Sequence, residues 1–213
     1  MADLDFFFDP VCPWAWITSR WVREVQDLRR YDVQWRFISL RFLNEDKMDY
    51  SKMPEGYKEV HAAGTQGLRV AARARHESGN EAVSAVYTAL GTSLHNREER
   101  ALYVADPVAH VGRLLADVSL PAEWGESVFD ESFDAEIRSE TELALERTGK
   151  DVGTPILTFR PGTESEGSFF GPVISKIPRG DDAVKLWDAV ETLATSSGMA
   201  ELKRSLRARP SFD

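Results

Sequence analysis

The feature that most constrains the fold is a junction near the N-terminus, where a short apolar strand gives way at once to a helix. Residues 4–8 are almost wholly apolar, which is typical of a buried strand. Asp9 and Pro10 end that strand, and Pro13 suits the first turn of a helix because its missing N–H costs nothing there. The apolar residues that follow recur at helical spacing and predict a helix over 13–29.

The only cysteine of the 213 residues, Cys12, lies at this junction. A thiol at the start of a helix faces unpaired backbone N–H groups and the positive end of the helix dipole, and both stabilise the thiolate. Most free cysteines are small buried hydrophobes, but the surrounding run Asp-Pro-Val-Cys-Pro-Trp favours a reactive thiol. Asp9 either tunes the pKa of this thiol or only forms the turn before Pro10, and the turn is the simpler interpretation.

Ala15 stands where a C-x-x-C redox motif has its second cysteine. A dithiol enzyme resolves its own mixed disulfide by attack of that second sulfur. This chain is therefore expected to attack with one sulfur and to need an external thiol for release. Ala15 is either natural or an engineered replacement of a resolving cysteine.

The rest of the chain predicts a second strand, a helical block and a final strand–strand–helix unit. Residues 33–40 alternate in part and carry β-branched and aromatic side chains. Strand signals return at 155–159 and 167–171, and a last helix is predicted over 181–196. The block between them shows no convincing strand, and its candidate helices are 55–78, 80–95, 106–117, 121–129 and 131–148.

The order βαβ, helical block, ββα predicts an α/β protein with a thioredoxin-like core and an all-helical insertion. In such a core, a four-stranded mixed sheet carries helices on both faces. We expect the core to comprise residues 1–43 and 150–213, and the insertion residues 44–149. A chain of 213 residues with 42% hydrophobic residues is long enough for a domain with a sizeable insertion.

The composition of the chain argues against several classes of partner. The net charge of −9 argues against a nucleic-acid surface. No segment approaches the roughly 20 apolar residues that span a bilayer, and no signal peptide is visible. With a single cysteine as well, we expect a protein of the reducing cytoplasm, without membrane or nucleic-acid partners. The four histidines lack metal-ligand spacing, so no metal is expected.

Three motifs together resemble the thioredoxin-fold family of DsbA-type oxidoreductases. The similar branch also includes kappa-class glutathione transferases and 2-hydroxychromene-2-carboxylate isomerases. The motifs are Phe-Asp-Pro-x-Cys-Pro-Trp at 8–14, Gly-Thr-Pro at 153–155, and Phe-Phe-Gly-Pro-Val-Ile-Ser-Lys-Ile-Pro-Arg-Gly at 169–180. The runs at 16–21 and 43–45 resemble the actinobacterial mycothiol-dependent nitroreductases. The resemblance covers nearly the whole chain and implies a thioredoxin core, a helical insertion and a homodimer.

The resemblance also implies an active-site motif and its surroundings. Cys12 would be the catalytic residue, followed by Pro13, Trp14 and Ala15. A cis bond between Thr154 and Pro155 would lie opposite the thiol, where the Thr154 backbone could pair with an extended thiol ligand. From the residues alone, an ordinary trans proline at the start of a strand explains Pro155 better.

Carried over position by position, Trp14, Asn44 and Tyr57 would line the substrate pocket. Trp14 would offer an aromatic face to a flat substrate, and the other two would offer hydrogen bonds. Each also has a plainer interpretation. Trp14 is then a packing residue, Asn44 a turn residue after the second strand, and Tyr57 a helix surface or core residue.

Three hypotheses about function follow. In the first, the Cys12 thiolate attacks a disulfide or an electrophilic or nitroaromatic acceptor, and a low-molecular-weight thiol, expected to be mycothiol, or a redoxin partner releases the intermediate. In the second, the protein is a transferase or isomerase of the kappa type, in which a bound thiol cofactor is the nucleophile and Cys12 only activates it. In the third, it is a binding protein that lost redox function with its second cysteine.

Overall fold

The computed structural model describes residues 2–213. Its strands form a four-stranded sheet in the order β2-β1-β3-β4. In β1 and β3, which run antiparallel, Leu4 lies opposite Phe159 and Phe7 opposite Ile156. β4 is antiparallel to β3. The predicted α/β class with a four-stranded mixed sheet is confirmed. The strands are β1 (Leu4–Phe8), β2 (Val33–Phe37), β3 (Ile156–Phe159) and β4 (Gly167–Phe170).

Helices make up most of the remaining structure within residues 2–213. None of them is long and apolar enough to cross a membrane. Short tight helical turns lie at Tyr50–Lys52, Ala122–Phe129 and Glu131–Phe133, and a wider turn follows α3 at Thr92–Asn96. The α-helices are α1 (Pro13–Arg29), α2 (Leu40–Asn44), α3 (Tyr57–Gly91), α4 (Arg100–Ala105), α5 (Pro107–Asp117), α6 (Asp134–Thr148) and α7 (Gly180–Thr195).

The described chain divides into two compact units. One, here called the sheet unit, contains the residues up to Phe8, Pro13–Arg36 and Ala144–Asp213. The other, here called the helical unit, contains Asp9–Cys12 and Phe37–Leu143, so the loop that carries Cys12 belongs to it. The predicted domain boundaries, with an insertion over 44–149, stay a prediction.

The core of the sheet unit forms where α1 and α7 meet the sheet. Trp21 and Trp187 are fully buried, with ring centroids 5.4 Å apart. Phe159 of β3 meets Trp187 edge to face at 5.3 Å, and the Trp21 indole N–H donates to the carbonyl of Ala183 at 2.9 Å. Each buried aromatic side chain of this kind contributes about 2–3 kcal/mol of hydrophobic stabilisation. This core holds the ends of β1 and β3 in place.

Two predicted elements differ in the structure. The second strand ends at Phe37 rather than continuing to Leu40, because Ser39 caps α2 by accepting a hydrogen bond from the N–H of Phe42. The predicted helices on either side of Gly79 form one long element, α3, in which Gly79 alone has a non-helical backbone with φ 78°. Glycine tolerates that conformation at no steric cost, so the helix kinks there and continues.

Candidate active site

Cys12 lies directly before α1, and Pro13 is the first residue of that helix. The Cys12 N–H donates to the carbonyl of Asp9 at 3.0 Å and closes a tight turn, here called the thiol loop (Asp9–Cys12). Cys12 is only 6% exposed. After it, Trp14 is half-buried and Ala15 is fully buried. The predicted strand–turn–helix setting of the thiol is therefore present, and the side chain of Ala15 is a buried methyl group.

Asp9 is a fully buried carboxyl group at the start of the thiol loop. Its Oδ1 accepts from the N–H of Val11 at 3.0 Å, and its Oδ2 accepts from the N–H of Leu40, the first residue of α2, at 2.8 Å. Burial raises the pKa of Asp9 to about 7, against the lowering effect of these two hydrogen bonds. The carboxyl group thus bridges the thiol loop and α2, and it titrates close to neutral pH.

Helix α3 approaches the thiol loop closely because it carries glycines at the contact. A Cβ atom on Gly64 would lie 2.3 Å from Oδ1 of Asp9, and one on Gly67 would lie 2.9 Å from Cγ of Pro10. Real side chains do not approach this closely, so any larger residue would push the loop away. Neither glycine was predicted to be part of the site, although two glycines three residues apart inside a predicted helix are a signal of close packing.

His95 holds the other side of the thiol loop. Its Nε2 lies 2.8 Å from the carbonyl oxygen of Pro10, which can only accept, so Nε2 carries the proton and donates. Burial lowers the pKa of His95 to about 4, so the imidazole is neutral at pH 7. Sequence analysis missed this residue too. His95 follows Pro10 by 85 residues, and no local pattern connects the two.

In the sheet unit, Thr154 and Pro155 lead into β3. Their peptide bond is cis, as is that between Gly171 and Pro172. Thr154 is buried, and its Oγ1 donates to the carbonyl of Phe7 at 3.2 Å. The carbonyl of Pro155 accepts from the N–H of Gly171 at 2.8 Å. The proline therefore lies at the end of the sheet where β1 terminates.

Asn44 and Tyr57, the two predicted hydrogen-bonding residues, differ in their settings. Asn44 ends α2, and its Nδ2 donates to the carbonyl of Leu40 at 2.7 Å, which fits the turn interpretation. Tyr57 begins α3, with its ring 4.6 Å from the ring of His61. Because Tyr57, His61 and Gly64 are spaced four and three residues apart, they share one face of α3, and Gly64 is the contact with Asp9. Both substrate roles stay predictions.

His61 is the central side chain of a small aromatic cluster on that face. It is 3% exposed, and its Nδ1 lies 2.9 Å from the hydroxyl oxygen of Tyr50. Burial lowers the pKa of His61. Within residues 2–213, no group of three or more His, Cys, Asp or Glu residues is arranged to hold a metal ion.

Known proteins provide two kinds of comparison. The chain is 29% identical over 205 residues to an uncharacterized protein of Mycobacterium tuberculosis, Rv2286c, with 96% of this chain and 82% of that protein covered. In three dimensions it is similar to the cytosolic disulfide reductase DsbM from Pseudomonas aeruginosa, determined with GSH. That similarity has 13% identity and a TM-score of 0.56, over 88% of this chain and 98% of that chain.

A second solved structure gives the same result. The probable DsbA oxidoreductase SCO1869 from Streptomyces coelicolor matches with 16% identity and a TM-score of 0.51, over 96% of this chain and 94% of that chain. At these identities the similarity concerns the fold alone. The predicted DsbA-like, thioredoxin-like fold is confirmed.

A family model described as "Rv2466c-like: Mycothiol-dependent nitroreductase Rv2466c" matches residues 11–204. The matched span includes Cys12, Trp14 and the Thr154-Pro155 bond. The family resemblance inferred from the motifs is therefore confirmed. The chain is a thiol-dependent oxidoreductase and belongs to the Rv2466c-like family.

Proposed function

We propose that the protein is a single-cysteine reductase, in which Cys12 is the nucleophile and a low-molecular-weight thiol, mycothiol, supplies the electrons. One observation carries the proposal. The sole cysteine of the chain directly precedes α1, where helix N–H groups stabilise a thiolate, and a buried alanine stands three residues later. The family description supports mycothiol as the thiol.

With a disulfide substrate, the reaction has three steps. The Cys12 thiolate attacks one sulfur, forms a mixed disulfide and expels the other sulfur as a thiolate, which takes up a proton. A mycothiol thiolate then attacks the substrate-derived sulfur of the mixed disulfide, forms a mycothiol–substrate disulfide and expels the Cys12 thiolate. A second mycothiol converts that disulfide into the free substrate thiol and mycothiol disulfide, so two mycothiols supply the two electrons. Ala15 is consistent with release by an external thiol.

With a nitroaromatic acceptor, the electrons come from two thiols in succession. Reduction of a nitro group to a nitroso group consumes two thiols, and it yields one disulfide and one water molecule. Cys12 takes part as a thiol that ends each cycle in a mixed disulfide, and a second mycothiol resolves it. This acceptor is proposed because the family description names nitroreductase activity.

The remaining roles in the proposal belong to residues around the thiol. Thr154 and Pro155 would hold the backbone of the thiol ligand, and Trp14, Asn44 and Tyr57 would contact the acceptor. Tyr57 is supported by its position on the face of α3 that meets the thiol loop. The thiol chemistry requires a reducing thiol pool, so the proposal locates the protein in the cytoplasm. A homodimer and a redoxin partner are also proposed from the family resemblance.

Oxidised mycothiol is the direct test of the first step. Mass spectrometry of the protein after this treatment is expected to show one mycothiol adduct, on the peptide that contains Cys12. Added mycothiol should remove the adduct. The Cys12→Ser variant is the matched control and should remain unmodified. Absence of an adduct on the unaltered protein would reject the proposal.

The alternative function is that of a transferase or isomerase in which a thiol cofactor is the nucleophile. Ala15 is compatible with this alternative. A cofactor that attacks by itself needs no second protein sulfur. The Cys12→Ser variant separates the two, because serine can still donate a hydrogen bond to a bound thiolate. Transferase or isomerase turnover should survive in this variant to within about 10-fold, whereas disulfide reduction through Cys12 should be lost.

A further inference from the structure

We propose that Asp9 is a positioning residue that controls the reactivity of Cys12, by fixing the thiol loop to α2 and by opposing formation of a second negative charge in the same turn. The inference rests on the proposed function, in which Cys12 reacts as a thiolate. Asp9 itself touches no substrate in the proposal and acts through the loop.

The geometry of the bridge carries the first half of the proposal. Each carboxyl oxygen of Asp9 accepts one backbone N–H, from Val11 inside the loop and from Leu40 at the start of α2. The backbone carbonyl of Asp9 accepts the N–H of Cys12 itself. Asp9 therefore connects the residue that bears the thiol to a separate element through three hydrogen bonds. Gly64 has no side chain that would occupy the place of the carboxyl group.

The surroundings of the carboxyl group carry the second half. Within residues 2–213, no basic side chain pairs with Asp9. The ionisable groups around it are Cys12 in its own loop, His95 on Pro10, and Tyr103 of α4, whose pKa is raised by burial and by the charge of Asp9. His95 is neutral near pH 7, and the hydroxyl of Tyr103 is protonated. Arg69 lies farther along α3 and is paired with Asp134. No neighbour therefore neutralises the charge of Asp9.

Asp9 and Cys12 are both buried and lie in one tight turn, so we expect them to titrate as a coupled pair. The pKa of Asp9 is raised to about 7, so its charge develops in the pH range in which an activated thiol ionises. A carboxylate there disfavours the neighbouring thiolate, while a neutral carboxyl group permits it. We therefore expect ionisation of Asp9 to raise the pKa of the Cys12 thiol, so that the thiolate forms in two steps as the pH rises.

Alkylation of Cys12 by iodoacetamide, followed as a rate against pH from 5 to 10, tests the proposal. The unaltered protein is expected to show two inflections, one of them near the pKa of Asp9. The Asp9→Asn variant should show a single inflection, with an apparent thiol pKa lower by about 1 unit. A two-inflection or unshifted profile in this variant would overturn the proposal.

Asp5→Asn is the matched control, because it also removes a buried carboxylate, four residues earlier in β1. Its alkylation profile should keep both inflections, since Asp5 lies outside the thiol loop. A general loss of stability would alter both variants alike. An unreactive Cys12 in the unaltered protein would count against the proposed function itself, and the loss of an inflection in Asp9→Asn is read only when Cys12 reacts.

A second variant breaks the bridge without removing the carboxyl group. Leu40→Pro removes the N–H that donates to Asp9 and puts a ring carbon in its place. Proline is tolerated at this position because it is the first residue of α2 and because Ser39 before it is extended. Losing that donor should move the Asp9 inflection to higher pH. An Asp9 inflection at the same pH would contradict the bridge.

A measurement on the unaltered protein completes the test should either variant fail to fold. Carboxyl ¹³C NMR is expected to show one aspartate titrating near pH 7, with the same midpoint as the Cys12 alkylation inflection. A carboxyl group that titrates there without any matching step in the alkylation rate would overturn the proposal.

Discussion

Two buried aspartates, four residues apart in the chain, are treated in opposite ways by the fold. Asp5 in β1 of the sheet unit is 2% exposed and pairs with Arg147 at 2.7 Å and with Arg36 at 3.4 Å. Asp9 in the helical unit is equally buried but has only backbone N–H groups as partners. Asp5 thus has two positively charged partners, whereas Asp9 has only neutral backbone donors, and burial raises the pKa of Asp9 to about 7. Asp5 is a structural residue, whereas Asp9 can change its charge near pH 7.

The largest expected effect is the pH dependence of stability that Asp9 causes. Its folded pKa of about 7 lies above the unfolded value of 3.8, so the folded state binds the extra proton between these values. The contribution of Asp9 to the free energy of unfolding is therefore fully present below pH 4, and it is lost as the pH rises to 7. The stability of Asp9→Asn relative to the unaltered protein should therefore rise over this range, by roughly 4 kcal/mol, as measured by urea unfolding at each pH.

His95 would produce the opposite slope, which makes it the control for this experiment. Its pKa is lowered to about 4, so the unfolded state binds more protons between pH 4 and 6.5, and stability rises with pH there. The His95→Gln variant should thus lose stability relative to the unaltered protein as the pH rises through this interval. Identical pH profiles for the two variants would show that neither group titrates as the structure indicates.

Asp5→Asn is expected to lower the free energy of unfolding by a smaller amount, about 3 kcal/mol. Removing the carboxylate leaves Arg147, which is 16% exposed, and Arg36 without their buried anion. Urea unfolding at pH 7 measures the size of the loss, and an unchanged free energy of unfolding would remove the distinction between the two aspartates.

Gly64→Ala is expected to have a smaller effect than Asp9→Asn and Asp5→Asn, about 2 kcal/mol of destabilisation. The added Cβ would lie 2.3 Å from Oδ1 of Asp9, so the thiol loop must move. Thermal unfolding gives the stability, and the alkylation rate of Cys12 reports the moved loop. For comparison, Gly153→Ala places its Cβ in ordinary contact with the ring of Phe170 at 3.6 Å, and its stability should be unchanged. Equal stabilities for the two alanine variants would mean that α3 does not press on the loop.

Local patterns were sufficient for most of the sheet unit. The apolar run of β1 and the helical spacing of α1 predicted both elements with their observed bounds, Leu4–Phe8 and Pro13–Arg29. The break predicted between the helices 55–78 and 80–95 coincides with the kink at Gly79, because glycine adopts a positive φ at no steric cost. Helix α4 was not predicted, since its six residues are too few to show a clear period.

In the candidate site, too, contiguous motifs could be predicted from the sequence and long-range contacts could not. Cys12 with its helix start, Ala15, and the family motifs are contiguous runs of residues, so the sequence by itself determined the nucleophile, the missing second sulfur and the family. Sequence analysis left Asp9 as a turn former, and it passed over His95 and Gly64, because their partners lie 31 to 85 residues away in the chain. Only the tertiary structure decided that a helix from the middle of the chain closes on the thiol loop. Burial there removes water from a carboxyl group and leaves it without a counter-charge, and no short-range pattern encodes that loss of solvent.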